Sequence, residues 1–73
     1  MRDIKQINYI DSTLINEQTE ERARPTIFYA VGFVIEETDE YITLAREYSR
    51  DNQLRGQISI PKVAIIRSET KNK

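Results

Sequence analysis

The sequence contains no cysteine and no histidine among its 73 residues. Without cysteine the chain has no disulfide, so its stability must come from side-chain packing or from oligomerisation. The two absences also remove the usual ligands of zinc, haem and iron–sulfur centres and the nucleophile–histidine pairs of many hydrolytic enzymes. We therefore expect neither a metal site nor a cofactor.

Glycine is scarce as well. Only Gly32 and Gly56 are present, so the chain has no glycine-rich loop that could cradle a phosphate group. The acidic cluster at 36–40 could offer oxygen ligands to Mg²⁺ or Ca²⁺, but it lacks the spacing of an EF-hand and is more typical of a solvated turn. Because no base, nucleophile and orienting group can be assembled from this inventory, we predict that the protein is not an enzyme.

Long apolar runs are also absent. No stretch reaches the ~18 consecutive apolar residues that span a membrane. The opening residues, Met-Arg-Asp-Ile-Lys-Gln, do not begin a signal peptide. A hydrophobic content of 38% is lean but compatible with one small core. We expect a single cytoplasmic domain over 1–68, a polar tail at 69–73 and no membrane partner.

The net charge is only −1, but the charges are unevenly distributed. Acidic residues concentrate in 17–21 and 36–40, whereas the last thirteen residues carry four cations against the single acid Glu69. A polarised distribution can orient a molecule on an anionic partner. A solvated basic tail without a partner explains the same pattern, and the two interpretations stay open.

The densest apolar run lies in 26–36, and a second apolar stretch at 41–48 follows an acidic turn. In the second stretch Ile42 and Leu44 alternate with other residues, which is typical of a half-buried strand. The first stretch is apolar on both faces, and its β-branched and aromatic residues favour a strand over a helix. We predict a long hairpin that forms the core. Gly32 either allows a bend of the sheet or makes room for a neighbouring aromatic ring.

Three further segments, 4–10, 54–60 and 63–67, show strand patterns. Pro61 cannot donate a hydrogen bond to a neighbouring strand, so the last two strands must be separated by a tight corner. The polar segment 13–24 predicts a short helix or an ordered loop between the first two strands. The whole pattern predicts a mainly β fold, a small five-stranded SH3-like or Sm-like barrel.

Two motifs resemble a group of small uncharacterised phage and prophage proteins. VGFVIEETD at 31–39 is similar to the V-G-[FW]-V-x-E-x-x-[DE] strand of that group, and IPKVAI at 60–65 is similar to its I-P-[KR]-x-A-I corner. The early strand that ends in Asp11 and Ser12 also fits. The resemblance covers most of the chain and implies a phage origin, hence the host cytoplasm, but no function.

A second resemblance is to the Sm-like (LSm/Hfq) family. A glycine-containing strand, an acidic turn at Asp39, the strand 41–44 and the corner at 60–65 follow in the family's order. In that family the corner between the fourth and fifth strands helps to bind uridine-rich RNA inside a ring. Neighbouring subunits pair the fourth strand of one with the fifth strand of the next.

The chain also departs from the Sm-like pattern. Lys62 falls on the family's corner lysine, but Pro61 and Val63 stand where the bacterial RNA chaperone of the family has a tyrosine and a histidine. The insertion 11–25 and the missing N-terminal helix are further differences. The resemblance therefore supports the fold and a ring-like assembly better than it supports RNA binding.

Two functions remain open. One is a non-enzymatic Sm-like oligomeric module that binds single-stranded RNA, which requires cations for the phosphates and aromatic rings for the bases. The alternative is a phage-derived protein–protein interaction or assembly module without nucleic-acid binding, in which the aromatic residues simply pack in the core. The candidate nucleic-acid-binding residues are Lys62, Arg67, Arg55 and Tyr41.

Self-association is expected under either function. The second and fifth strands are apolar on both faces, and an unpaired strand edge is a template for another chain. We predict a homo-oligomer, with cyclic symmetry as the way to remove its free edges. The candidate interface residues are Ile58, Ile60, Val63, Ile65 and Ile66.

Overall fold

The computed structural model of the chain describes residues 2–11 and 26–72, with Asp11 described by its backbone alone. The segment 13–24, for which the sequence predicts a short helix or an ordered loop, lies outside the described residues. Within them the chain forms strands and one short 3-10 turn. The prediction of a mainly β fold is therefore confirmed.

The described strands form one antiparallel sheet and one short ribbon. The sheet has five strands in the order β6-β3-β2-β1-β7, and β4 pairs with β5 in the ribbon. β6 and β7 are therefore the outer strands of the sheet. The elements are β1 (Ile4–Asp11), β2 (Thr26–Glu37), β3 (Tyr41–Ala45), β4 (Glu47–Tyr48), β5 (Leu54–Arg55), β6 (Ile58–Pro61), the 3-10 turn (Lys62–Ala64) and β7 (Ile65–Thr70).

β2 and β3 form the predicted hairpin. The pairing runs from Phe33 opposite Ala45 to Glu37 opposite Ile42, and a β-bulge shifts the register on the way. The hydroxyl of Thr38 closes the turn, because it accepts hydrogen bonds from two backbone N–H groups of the turn at 3.1 and 3.2 Å.

Gly32 is buried in β2 where the backbone of β3 comes closest. The nearest atoms to its missing side chain belong to Ala45 and Leu44. None of these three atoms is part of an aromatic ring, and the closest is the carbonyl oxygen of Ala45. Close approach of two strands is the reason for glycine at this position.

Two of the predicted strands are interrupted. The segment 41–48 breaks at Arg46, and the segment 54–60 breaks after Arg55. Gly56 has φ +66°, a backbone angle outside the extended region. The N–H of Arg46 donates to the carbonyl oxygens of both Arg55 (3.0 Å) and Gly56 (3.3 Å), which disrupts the regular ladder. The antiparallel pair of β3 and β6 is therefore followed by the pair of β4 and β5, with an irregular step between the two pairs.

The last strand is displaced from its predicted position at 63–67. Val63 lies in the 3-10 turn, whose first N–H donates to the carbonyl oxygen of Glu40 at 2.8 Å. β7 then runs as far as Thr70 and so includes two residues of the predicted tail. The sequence pattern missed this extension because the second half of β7 is polar, as suits an outer strand with exposed side chains.

The core lies between β1, β3 and β6. In β2, by contrast, Gly32 is the one fully buried residue. The apolar residues of the first arm of the hairpin are therefore at most partly buried within their own subunit. The core is formed by the side chains of Ile7, Ile42, Leu44 and Ile60, with Tyr9, Ala30, Val34 and Ile65 packed against them.

Candidate interaction surfaces

The outer edge of β6 offers backbone groups for strand pairing. The N–H of Lys62 donates to the carbonyl oxygen of Glu40. Together with the register of the two strands, this bond shows which backbone groups of β6 point toward β3. Since bonded and non-bonded pairs alternate in an antiparallel ladder, the N–H and carbonyl of Ser59 point away from β3. Pro61 adds an outward carbonyl oxygen and has no N–H. Within the described part of the chain, no strand pairs with this side of β6.

The outer edge of β7 is similar. The N–H of Lys71 donates to the carbonyl oxygen of Ile4 at 2.7 Å and continues the β1–β7 ladder. By the same alternation, the backbone groups of Ser68 and Thr70 point away from β1. Among the described residues, no strand lies against this side of β7 either. Among the described residues, each of the two outermost strands therefore has a free edge, and the two edges differ in sequence.

The five candidate interface residues fall into two groups. Ile60 is fully buried in the core of its own chain, and Ile65 is packed against that core. Ile58, Val63 and Ile66 are exposed, by 37%, 98% and 52% respectively. Of the five, these three side chains are the exposed ones in a single subunit. The sequence could not separate the groups, because the 3-10 turn and a bulge in β7 change which residues face outward.

Lys62, the candidate corner cation, already has a partner. Its Nζ atom lies 2.5 Å from Oε2 of Glu37, and Nζ of Lys5 lies 3.2 Å from Oε1 of the same carboxylate. Hydrogen bonds from Lys62 and then from Lys5 hold the pKa of Glu37 below its ordinary value of 4.5. One carboxylate on β2 therefore joins the 3-10 turn to β1.

The two candidate arginines are also paired. An Nη atom of Arg67 lies 2.6 Å from one oxygen of Glu69, and Nζ of Lys71 lies 3.3 Å from the other. The hydrogen bond from Lys71, followed by the positive charge of Arg67, lowers the pKa of Glu69. Arg55 lies 3.9 Å from a carboxylate oxygen of Glu47, a looser pair on the β4–β5 ribbon. Each of the three candidate phosphate ligands thus faces an acid of its own chain.

Tyr41 is the candidate base-stacking platform. Its hydroxyl donates a 2.7 Å hydrogen bond to Glu36, and this bond raises the pKa of Tyr41. The ring lines a groove of about 330 Å³ together with Ile35, Glu36, Thr43, Gln57 and Ser59. Of the described residues, no cation lines this groove, so a phosphate group would meet the carboxylate of Glu36 there.

The candidate residues for nucleic acid are distributed over several elements. Tyr41 and Lys62 lie near the hairpin turn, Arg67 lies on β7, and Arg55 lies on the β4–β5 ribbon. The sequence reasoning also missed the acidic partners, because it treated 36–40 as a solvated turn. Which acid meets which cation depends on strand register, and the sequence pattern does not specify the register.

The described parts of the chain, 2–11 and 26–72, contain no group of acidic residues that could hold a metal ion. Across the same residues, no helix has the length and apolar character needed to cross a membrane. The chain matches no protein-family model, and no curated protein and no solved structure is significantly similar to it. The two resemblances noted in the sequence therefore stay predictions.

Proposed function

We propose that this protein is a non-enzymatic, self-assembling module with an Sm-like barrel, in which the edge strand β6 of one subunit pairs with the edge strand β7 of the next. The pairing of two different edges is heterologous, so it can close into a ring and leave neither edge free. Backbone hydrogen bonds supply the attachment, and the exposed apolar side chains beside the edges supply burial.

The order of the strands supports this proposal most directly. β1, β2, β3, β6 and β7 correspond to the five predicted strands, and their order in the sheet leaves the fourth and fifth at opposite edges. A single 3-10 turn joins these two strands. They are the strands through which subunits of the Sm-like family join, as the resemblance implies.

The exposed side chains beside the two edges agree with a protein partner. Ile58 lies on β6, Ile66 lies at the bulge of β7, and Val63 lies on the turn between these strands. The cations near the same elements are paired with acids, which favours the assembly function over the RNA-binding one. A cation that is paired with a carboxylate of its own subunit is less available to neutralise a phosphate.

The experiment is native mass spectrometry combined with sedimentation velocity on the whole chain. The wild type is expected to contain several subunits. Ile66→Glu places a carboxylate in the apolar part of the contact, and Ser68→Pro removes an outward N–H without removing a hydrogen bond within the subunit. Both variants are expected to lower the number of subunits while circular dichroism shows an unchanged β spectrum.

Gln53→Glu is the matched control, because it adds the same charge on an exposed turn away from both edges. It should keep the wild-type number of subunits. A wild type that stays monomeric at high concentration would overturn the proposal. So would a folded Ile66→Glu and a folded Ser68→Pro that both keep the wild-type number.

A further inference from the structure

A third free edge lies on β2, away from the edges of the proposed ring contact. The whole of β1 pairs with residues 26–33 of β2. β3 pairs with β2 only from Phe33 onward, on the other side of the strand. Among the described residues, the segment 26–31 therefore has a strand on one side and none on the other. With respect to the described strands, half of β2 is therefore an edge.

The register shows which backbone groups are free on this edge. The N–H of Val34 donates to the carbonyl oxygen of Asp3 at 2.8 Å, so the even-numbered residues of β2 bond to β1. Ile27, Tyr29 and Val31 therefore point their N–H and carbonyl groups to the open side. These three residues present unpaired donors and acceptors in a regular row.

The side chains of the same three residues are exposed. Ile27 is 50%, Tyr29 69% and Val31 58% accessible, and all three lie on one face of the strand. The segment TIFYAV at 26–31 carries no charge, no proline and no glycine. It thus has none of the features that usually protect an edge strand from pairing with another chain. β-Branched and aromatic residues in this pattern favour sheet pairing.

We propose that this edge pairs with the same edge of a second copy of the chain, antiparallel and about a two-fold axis at Tyr29. Tyr29 then lies opposite Tyr29 of the second copy, and Ile27 lies opposite Val31 in both directions. All the free backbone groups of the three residues are paired in this register. The three exposed side chains of each copy become a continuous apolar surface.

The chemistry of the segment selects a second copy as the partner. A two-fold contact brings each residue near its own equivalent, so a charged edge would repel itself. β7 carries Arg67 and Glu69, and β6 ends in Pro61, whereas 26–31 is neutral throughout. Antiparallel pairing of this segment therefore places no like charges opposite each other. The contact is isologous and lies apart from β6 and β7, so it does not depend on the ring contact proposed above.

The absence of cysteine from the chain allows a test that is specific for the register. In the proposed pairing Tyr29 faces its equivalent at a Cα distance of about 5.5 Å, which a disulfide can bridge. Tyr29→Cys is expected to give a covalent dimer under mild oxidation. Val31→Cys, a similarly exposed control two residues away, has Ile27 of the second copy opposite and is expected to stay largely monomeric on a denaturing gel.

Mass measurements separate this contact from the ring contact. Tyr29→Glu brings two carboxylates together at the two-fold axis and is expected to halve the particle mass. Ile66→Glu is expected to leave a dimer. The double variant Tyr29→Glu, Ile66→Glu is expected to be a monomer. If Ile66→Glu and Ser68→Pro both leave the mass unchanged while Tyr29→Glu still halves it, the proposed function fails and this inference stands.

Three results would overturn the inference. One is an unchanged mass for a folded Tyr29→Glu. Another is equal cross-linking of Tyr29→Cys and Val31→Cys, which would indicate random collision. The third comes from amide hydrogen exchange, where the N–H groups of Ile27, Tyr29 and Val31 should become protected as the concentration rises. Protection that does not depend on concentration would mean that the chain itself covers this edge.

Discussion

Gly32 of β2 and Ala45 of β3 are packed backbone against backbone. A Cβ atom at residue 32 would lie 2.8 Å from the carbonyl oxygen of Ala45 and 3.1 Å from Cβ of Leu44. Real Cβ atoms do not approach a backbone oxygen so closely, so β2 and β3 would have to separate at the start of their pairing. The hairpin depends on this contact because β3 carries two of the fully buried core residues.

Gly32→Ala is therefore expected to destabilise the fold by about 1–3 kcal/mol, the usual cost of adding atoms to a packed site. Urea unfolding followed by circular dichroism measures the change. The sign of the change in unfolding free energy is informative, because Gly→Ala at an unstrained site stabilises a protein by restricting the unfolded chain. An unchanged or higher midpoint would show that the two strands can separate without cost.

The sequence predicted much of the fold from local patterns. Apolar alternation located β1 and β3, β-branched and aromatic residues located β2, and Pro61 marked the corner before β7. Local sequence patterns did not predict the burial of a residue where that burial depends on which strand lies beside it. The apolar run of β2 indicated a buried strand, but β3 covers only its second half, so Tyr29 and Val31 are exposed.

The candidate site was less predictable than the fold. Lys62 and Glu37 are separated by 25 positions in the chain and meet only because β2, β3 and the 3-10 turn are brought together by strand pairing. A charge pattern cannot reveal such a pair before the register is known. The exposed cations inferred from the sequence therefore turned out to be partners of acids.

The hydroxyl groups of Thr43 and Ser59 form a 2.7 Å hydrogen bond between β3 and β6. Thr43 is buried, so Ser59→Ala leaves a buried hydroxyl without this partner and should cost about 1 kcal/mol. Thr43→Val combined with Ser59→Ala should cost less than the sum of the two single changes. Urea unfolding of the wild type, the two single variants and the double variant gives the coupling energy between the two hydroxyl groups. Additive effects would show that the bond contributes nothing to stability.

Glu37 predicts a specific dependence of stability on pH. Its pKa is lowered in the folded state by Lys62 and Lys5, so the stabilisation is complete above the unfolded value of 4.5. It is lost as the pH falls through the lower folded value. Because the pair is partly exposed, we expect Glu37→Gln to cost less than about 1 kcal/mol at pH 7.

The measurement is the free energy of unfolding of wild type and Glu37→Gln from pH 7 to pH 2. The difference between the two proteins should shrink toward zero below pH 4.5. Glu40→Gln, an exposed acid of the same hairpin turn, is the control and should give a small difference across the range. A Glu37→Gln difference that persists at the lowest pH would mean that packing, and not the ion pairs, is responsible.

The paired cations also make a prediction about single-stranded RNA. Glu37 pairs with both Lys62 and Lys5, and Glu69 pairs with both Arg67 and Lys71. We expect the wild type to bind a uridine-rich oligonucleotide weakly at physiological salt. The double variant Glu37→Gln, Glu69→Gln should bind more tightly, with a steeper loss of affinity as salt rises, because it releases cations for the phosphates.

Fluorescence anisotropy at several salt concentrations measures the affinity for the oligonucleotide and its dependence on salt. Asp39→Asn combined with Glu40→Gln is the control, because it also removes two negative charges, from exposed positions, without releasing any of these four cations. Tight, saturable binding by the wild type that is lost in Lys62→Ala would favour the RNA-binding alternative, since Lys62 would then exchange its carboxylate partner for a phosphate. Equal and weak binding by all the variants would instead mean that the surface lacks the geometry for a nucleic-acid strand, whatever its charge.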